Sequence, residues 1–191
     1  MVAIATNTRS LSPEQAANAI AQLFAKFPAG GKLIYKKVDS LLRGNIVAEL
    51  RAAREAGLYQ AVLLAPASPE QGRWMERGVL HASLADTVFE RRADTLLLGM
   101  GSEEITLLEL SVIHRGVDAA SAAVRAAVEA GKWLLLADAK TQEDLDVLAA
   151  AAMALPGFLP SGSAGLALSL RPLPFPVRSR HGGPVRSGVC V

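Results

Sequence analysis

The chain has 191 residues, 51% of them hydrophobic and 20% charged, with a formal net charge of +2. That is enough apolar material for a buried core, and it excludes wholesale disorder, while apolar stretches such as Trp133 to Ala137 are too short to span a bilayer. The single cysteine, Cys190, excludes an intrachain disulfide and a thiolate metal cluster.

The charge is uneven. Arg171, Arg178, Arg180 and Arg186 lie in an acid-free segment from Arg171 to Val191, so the body from Met1 to Leu170 is slightly acidic. A nucleic-acid surface needs a basic folded face with readers. Four arginines among prolines and glycines read instead as a solvated linker. Met1 to Ser10 shows no basic region followed by an apolar one. A soluble, cytoplasmic protein without nucleic-acid or membrane partners is the expectation.

In chain order, Val2 to Thr6 reads as a buried strand and Asn7 to Ser10 as a polar loop. Ser12, Pro13 and Gln15 start a helix as cap, first residue and capping-box partner. Ile20, Leu23, Phe24 and Phe27 give its apolar spacing, and residues 28–31 stop it. Lys32 to Lys36 is a second strand. Ile46, Leu50 and Ala53 mark the buried face of a helix ended by Gly57. Ala61 to Ala65 is fully apolar and reads as a central strand. Ala67 to Gly101 has no helical period, so an irregular or hairpin excursion beyond the sheet is expected there, either a functional lid or disordered. Leu110 to Ile113 then reads as a strand, Asp118 to Ala130 as a helix and Trp133 to Ala137 as a strand. Thr141 caps a helix to about Met153, Phe158-Leu159 is a last strand, and the Ser161 to Gly165 turn opens a helix to Leu170. Pro172, Pro174, Pro176 and Pro184 predict no regular structure beyond it.

This alternation predicts an α/β fold with an open, mostly parallel sheet and helices on both faces. Residues 1–170 form one domain, and 171–191 a Pro/Arg-rich linker or disordered tail. Ligands bind such sheets at the carboxyl edge of the strands. Four loops converge there: Asn7 to Ser10, Lys37 to Asn45, Pro66 to Gly72 and Asp138 to Thr141. The Ser161 to Gly165 turn joins them.

Lys36 to Asn45 is the richest of these stretches, reading Lys-Lys-Val-Asp-Ser-Leu-Leu-Arg-Gly-Asn. Asp39 could accept hydrogen bonds from a polyol or act as a base towards one; equally, it or Ser40 could cap the following helix. Arg43 could hold a carboxylate or phosphate in two parallel bonds, or pair with Glu49 or Asp39. Gly44-Asn45 offers close backbone approach or simple turn chemistry. Arg9 faces the same edge. Lys36 and Lys37 alternate, so one of them points to the ligand. Arg73, after Gln71-Gly72, could fold over an anion. Asp138 ends its strand at this edge, with helix entry as its plainer reading. Gly162, Ser163 and Gly165 could nest a phosphate, although the turn is neither a Walker loop nor a dinucleotide fingerprint. His81, His114 and His181 have no ligand partners at metal spacing, and no metal site is assigned.

Lys37-Val38-Asp39-Ser40-Leu41-Leu42-Arg43-Gly44-Asn45 resembles the signature of the four-carbon acid sugar kinase family, which usually reads Lys-x-Asp-Ser-Thr-Leu-Arg-Gly-Asn. Asn7 to Leu11, Ala65-Pro66-Ala67 with Gln71-Gly72-Arg73, Ala137-Asp138-Ala139 with Glu143-Asp144-Leu145, and Gly162 to Ala167 resemble further segments of that family, in order, over residues 2 to 170. The resemblance implies the amino-terminal sugar-acid-binding domain of an ATP- and Mg2+-dependent kinase acting on a tetronate-type acid. It places Asp39 and Arg43 at the substrate; with the loop reading, Ser40, Asn45, Arg9, Lys37 and Arg73 are expected to bind substrate beside them, and Gly162, Ser163 and Gly165 to lie near the phosphate or nucleotide. No residue is assigned a catalytic role. Three departures stand out. The family's first strand and acidic loop are missing, its ATP domain is absent, and Leu41 replaces a threonine. The expectation is a truncated chain, inactive alone, with an ATP-binding domain in trans as a partner; the alternative is a non-catalytic sugar-acid-binding or regulatory protein. A missing strand would leave an exposed sheet edge, so a homodimer is expected.

Overall fold

The computed structural model describes residues 2–27, 33–84, 87–93, 104–170 and 189–190. Its elements run β1 (Val2–Ala3), α1 (Pro13–Phe24), β2 (Ile34–Lys37), α2 (Ile46–Ala56), β3 (Ala61–Ala65), a 3-10 turn (Pro69–Gln71), β4 (Arg73–Glu76), β5 (Val79–Leu84) and β6 (Thr87–Arg92). They continue with β7 (Ile105–Leu108), α3 (Leu110–Ile113), α4 (Val117–Glu129), β8 (Leu134–Ala137), α5 (Gln142–Ala154), β9 (Phe158–Gly162), α6 (Ala164–Ser169) and β10 (Val189–Cys190). Among the described residues, seven strands form one sheet in the order β1-β10-β2-β9-β3-β8-β7. All its pairings are parallel, and the α/β class is as the sequence predicts.

The helices start where their caps place them. Ser12 accepts from the Gln15 backbone N–H at 3.2 Å, and the Gln15 side chain accepts from Ser12 N–H at 3.1 Å. Thr141 and Asp144 make the same reciprocal pair ahead of α5. Satisfying these amides on both sides fixes the first helical turn. Ile20 and Phe24 of α1 and Leu50 and Ala53 of α2 are buried where the two helices pack together. β3, β8 and β9 are buried at every position, so both faces of the central sheet are covered. Among the described residues, no helix is long and apolar enough to cross a membrane.

Three segments differ from the sequence expectation. Leu110–Ile113 is a helical turn, and the strand lies earlier, at Ile105–Leu108. Residues 105–113 read Ile-Thr-Leu-Leu-Glu-Leu-Ser-Val-Ile, short apolar runs whose periodicity cannot place a strand. Pairing decides it: Leu107 lies beside Leu136 and Leu108 beside Ala137. The excursion expected over 67–101 contains a three-stranded antiparallel sheet, β4-β5-β6. Arg77 and Gly78 connect β4 to β5 with φ values of 52° and 71°, the mirror-image turn that suits twisted hairpins. Met75 and Ala139 exchange backbone hydrogen bonds of 2.8 and 3.1 Å, which stands this small sheet on the carboxyl edge of β8. Asp94, which the family resemblance makes a vestige of an Arg-Asp pair at the end of this hairpin, lies outside the described residues. Finally, Val189–Cys190 is a strand, although prolines were expected to keep regular structure out of everything after Leu170. The last of them is Pro184, so both residues keep an N–H for the ladder, and they pair with β1 on one side and β2 on the other.

Candidate functional site

A cavity of about 520 Å³ opens at the carboxyl edge of the large sheet. One wall is Ala5 to Ser10, which continues β1; the other is Lys36 to Asp39, which ends β2, with Arg43 and Gly44 beyond it. Because β10 lies between β1 and β2, the walls leave the sheet two strand spacings apart, roughly 10 Å, and they meet where Arg9 reaches Gly44 and Asp39.

Asp39 organises its mouth. Asp39 Oδ1 accepts from Leu41 N–H at 3.0 Å, Arg43 N–H at 3.4 Å and Arg43 Nε at 3.0 Å. Asp39 Oδ2 accepts from Arg43 Nη2 at 3.0 Å and from Arg9 Nη2. Burial pushes the Asp39 carboxyl up, but the Arg43 side chain and the Leu41 and Arg43 amides together outweigh it and hold the group at about 2. These bonds also secure an unusual backbone. Leu42 sits at φ 54° with its side chain buried, a conformation that costs a bulky residue about 1–3 kcal/mol. Gly44, at φ 94°, lets Arg9 lie across it, since a Cβ there would stand 3.4 Å from Arg9 Cγ. Two arginines thus converge on one carboxylate, and both side chains stay more than half exposed.

The floor is built differently. Lys36 and Glu49 pair at 2.8 Å, with only 3% and 6% of their surfaces exposed. Thr8 donates to Glu49 Oε1 at 2.7 Å and shares a 3.2 Å hydrogen bond with Thr6. The sequence reading missed Lys36, Glu49 and Thr8 as a unit. A signal was present: Glu49 falls on the Ile46, Leu50, Ala53 stripe of α2 at helical spacing, so its carboxylate had to meet a buried partner.

The other expected residues divide. Arg9, Lys37, Asp39 and Arg43 all line the cavity. Lys37 is the exposed residue of β2, and its Nζ donates to Val38 O. Ser40 and Arg73 meet each other instead: Arg73 Nη1 donates to Ser40 Oγ at 2.6 Å and to Gln71 Oε1 at 2.7 Å. With Arg91 donating to Leu41 O at 3.3 Å, they lash the small sheet to the Asp39 loop. Asn45 Nδ2 donates to Thr8 O and Leu11 O, so it holds the two walls together from behind.

Asp138 is not at the cavity. Its oxygens accept from Arg77 N–H at 2.7 Å and Gly78 N–H at 3.0 Å. Burial raises its carboxyl pKa; those two amides oppose the rise, while Glu109 and Glu76 add to it. The turn at Gly162, Ser163 and Gly165, expected beside a phosphate, is buried. Ser163 Oγ donates to Ala67 O at 2.8 Å, and Ser163 O accepts from the Tyr35 hydroxyl. A Cβ on Gly162 would collide with Ala65 O, and one on Gly165 would stand 2.6 Å from Ala67 O. Close packing of β9 and α6 against β3 accounts for these glycines.

The cavity holds two exposed guanidinium groups at its mouth and a charged, hydroxyl-bearing floor, an arrangement suited to a small polar anion. The segments that build this cavity also match known proteins. The family model described as "Sugar-binding N-terminal domain" matches residues 1–170. D-threonate kinase of Cupriavidus necator is 33% identical over 204 aligned positions, covering 97% of this chain and 48% of the relative. D-erythronate kinase of Heliobacterium modesticaldum is 30% identical over 164 positions, covering 78% of this chain and 37% of the relative. A crystal structure of a domain of unknown function from Bordetella bronchiseptica, a domain-swapped dimer with bound citrate, superposes with a TM-score of 0.69 at 28% identity, covering 87% of this chain and 43% of that one. The chain thus spans less than half the length of these relatives. With the match running through all the segments that build the cavity, the chain belongs to the four-carbon acid sugar kinase family, through its sugar-binding amino-terminal domain.

Proposed function

We propose that this chain binds a four-carbon sugar acid of the tetronate type at the Arg9–Arg43 mouth, as the substrate-binding part of an ATP-dependent kinase. The observation that carries the reading is the convergence of two exposed guanidinium groups on Asp39 at an open cavity. A guanidinium matches a carboxylate with two parallel hydrogen bonds. Asp39 accepts from Arg9 Nη2 and from Arg43 Nε and Nη2, which fixes both guanidinium groups at the mouth, so a ligand carboxylate meets a positioned clamp. In this reading Arg9 and Arg43 contact the ligand, while Asp39 positions them. Lys37 adds charge at the wall; Ser40, Arg73 and Asn45 fix the loops. ATP and Mg2+ are held by a further domain, linked or supplied in trans.

Calorimetry with D-threonate and D-erythronate tests this directly. The chain is expected to bind at least one of them saturably. Arg9→Ala and Arg43→Ala are each expected to weaken that binding at least ~10-fold, the usual scale for a charge-assisted hydrogen bond. Binding of neither acid, or arginine variants that bind as well as the parent, would sink the reading. With ATP and magnesium added, the chain alone is expected to release no ADP.

A further inference from the structure

The cavity floor contains charge that neither the clamp nor the fold requires. Lys36 and Glu49 are almost fully buried, yet a buried ion pair seldom repays the desolvation of its two charges, and an apolar pair of similar volume is often as stable. This pair lies against the cavity beside Thr8 and Thr6. Its chemistry also differs from that of the mouth. Arginines only donate hydrogen bonds, which suits a carboxylate. The floor combines ammonium donors, carboxylate acceptors and threonine hydroxyls that do both. The Lys36 ammonium has three N–H groups, and Glu49 Oε2 and Lys37 O account for two of them. A carbon chain bearing several hydroxyls needs such a mixed surface, because each hydroxyl both donates and accepts.

We propose that Lys36, Glu49 and Thr8 read the hydroxyl groups of the ligand whose carboxylate the arginines hold. They make the site selective for a polyhydroxylated acid over a plain carboxylate of the same length. The inference rests on the proposed carboxylate clamp and adds to it the source of selectivity. A site built to pair with hydroxyls leaves buried donors and acceptors stranded when they are missing, which is the strong form of discrimination.

The test is an NMR titration of the full chain with D-threonate and, separately, with butyrate, which has the same carbon count and no hydroxyl. The parent chain is expected to prefer D-threonate by at least ~100-fold. Thr8→Val keeps the ion pair but removes a hydroxyl; Lys36→Met with Glu49→Leu removes both charges together. Each is expected to cut the preference at least ~10-fold through weaker D-threonate binding, with butyrate affinity changed less than about 2-fold. Damage that is only structural would weaken both acids alike and leave the ratio intact, which would overturn the proposal. A parent chain that binds neither acid removes the clamp reading and this one with it. A parent that prefers D-threonate, with variants that keep the preference, overturns the hydroxyl role alone. If the double variant does not fold, Thr8→Val decides the matter.

Discussion

At the scale of single residues, Asp39 has a different role from the one its position suggests. A lone aspartate between a strand and a helix invites the role of base, but both of its oxygens are committed to Arg9, Arg43 and two amides. A carboxyl held at about 2 is a poor base at neutral pH. Its pH behaviour follows from the sign of the shift. The folded value lies below the ordinary carboxylate value, so the stabilisation is present above about pH 4 and is lost as pH falls through about 2. Arg43→Ala removes the largest of the contributions that lower it. The Asp39 carboxyl resonance in that variant is therefore expected to titrate at higher pH than in the parent, because burial then meets less opposition. The stability gap between parent and variant is expected to close as the solution is taken from pH 4 to pH 2. An unchanged Asp39 titration would show that the Arg43 contact is not formed in solution. Much of this corner is legible in the sequence: Arg9, Asp39 and Arg43 all follow strands that end at one sheet edge, so a parallel sheet brings them together. What was not legible was the division of labour. A pair such as Lys36-Lys37 shows that one lysine faces inward, but only the tertiary partner Glu49 shows that the buried one is Lys36.

Among the elements, the small sheet β4-β5-β6 is where local sequence said least. Its strands are short, and the turn Arg77-Gly78 lacks the Asn-Gly or Asp-Gly signal of a tight hairpin. The information that places it lies elsewhere, in Asp138, Ala139, Ser40 and Leu41, which belong to loops of the large sheet. Asp138 carries the clearest prediction. A carboxylate accepts from both the Arg77 and Gly78 amides; an asparagine oxygen can serve one, while its NH2 faces the other. Asp138→Asn is expected to destabilise the chain by about 1–3 kcal/mol, a fall in melting temperature of roughly 5 °C for a domain of this size. Amide exchange at Arg77 and Gly78 is expected to rise more than exchange in β3 or β9. The variant also removes a pH dependence. Asp138 has its pKa raised in the folded state, so the native form binds the proton more tightly and stability falls as pH rises from the ordinary carboxylate range to the raised value. In Asp138→Asn that downward slope is expected to disappear. Uniform exchange, or an unchanged acid profile, would mean that Asp138 does not anchor the turn.

For the whole molecule, the large sheet is assembled from the two ends of the chain. β1 is an edge strand whose described strand partner is β10, and β10 in turn lies against β2. The Arg9 wall is thus joined through a strand from the far end of the sequence to the wall that carries Asp39. No local pattern could have shown this: two residues make no periodicity, and a parallel pairing between residues 2–3 and 189–190 is the most non-local contact a chain can make. The consequence can be measured on a variant that ends at Leu170. Without β10, β1 and β2 each present an unpaired row of backbone N–H and C=O groups, a template for pairing with other chains. The Arg9 wall loses its strand tether, while α1, α2 and the Asp39 loop keep theirs. The shortened chain is therefore expected to keep its helical circular dichroism, to sediment as larger and more heterogeneous species, and to bind D-threonate at least ~10-fold more weakly than the full chain, as Arg9→Ala does. Adding Arg9→Ala to the shortened chain should then cost little more, because two changes that remove the same contact do not add. A shortened chain that sediments as a clean monomer and binds D-threonate as the full chain does would show that β1 finds its place beside β2 without β10, and that the cavity does not depend on the strand between its walls.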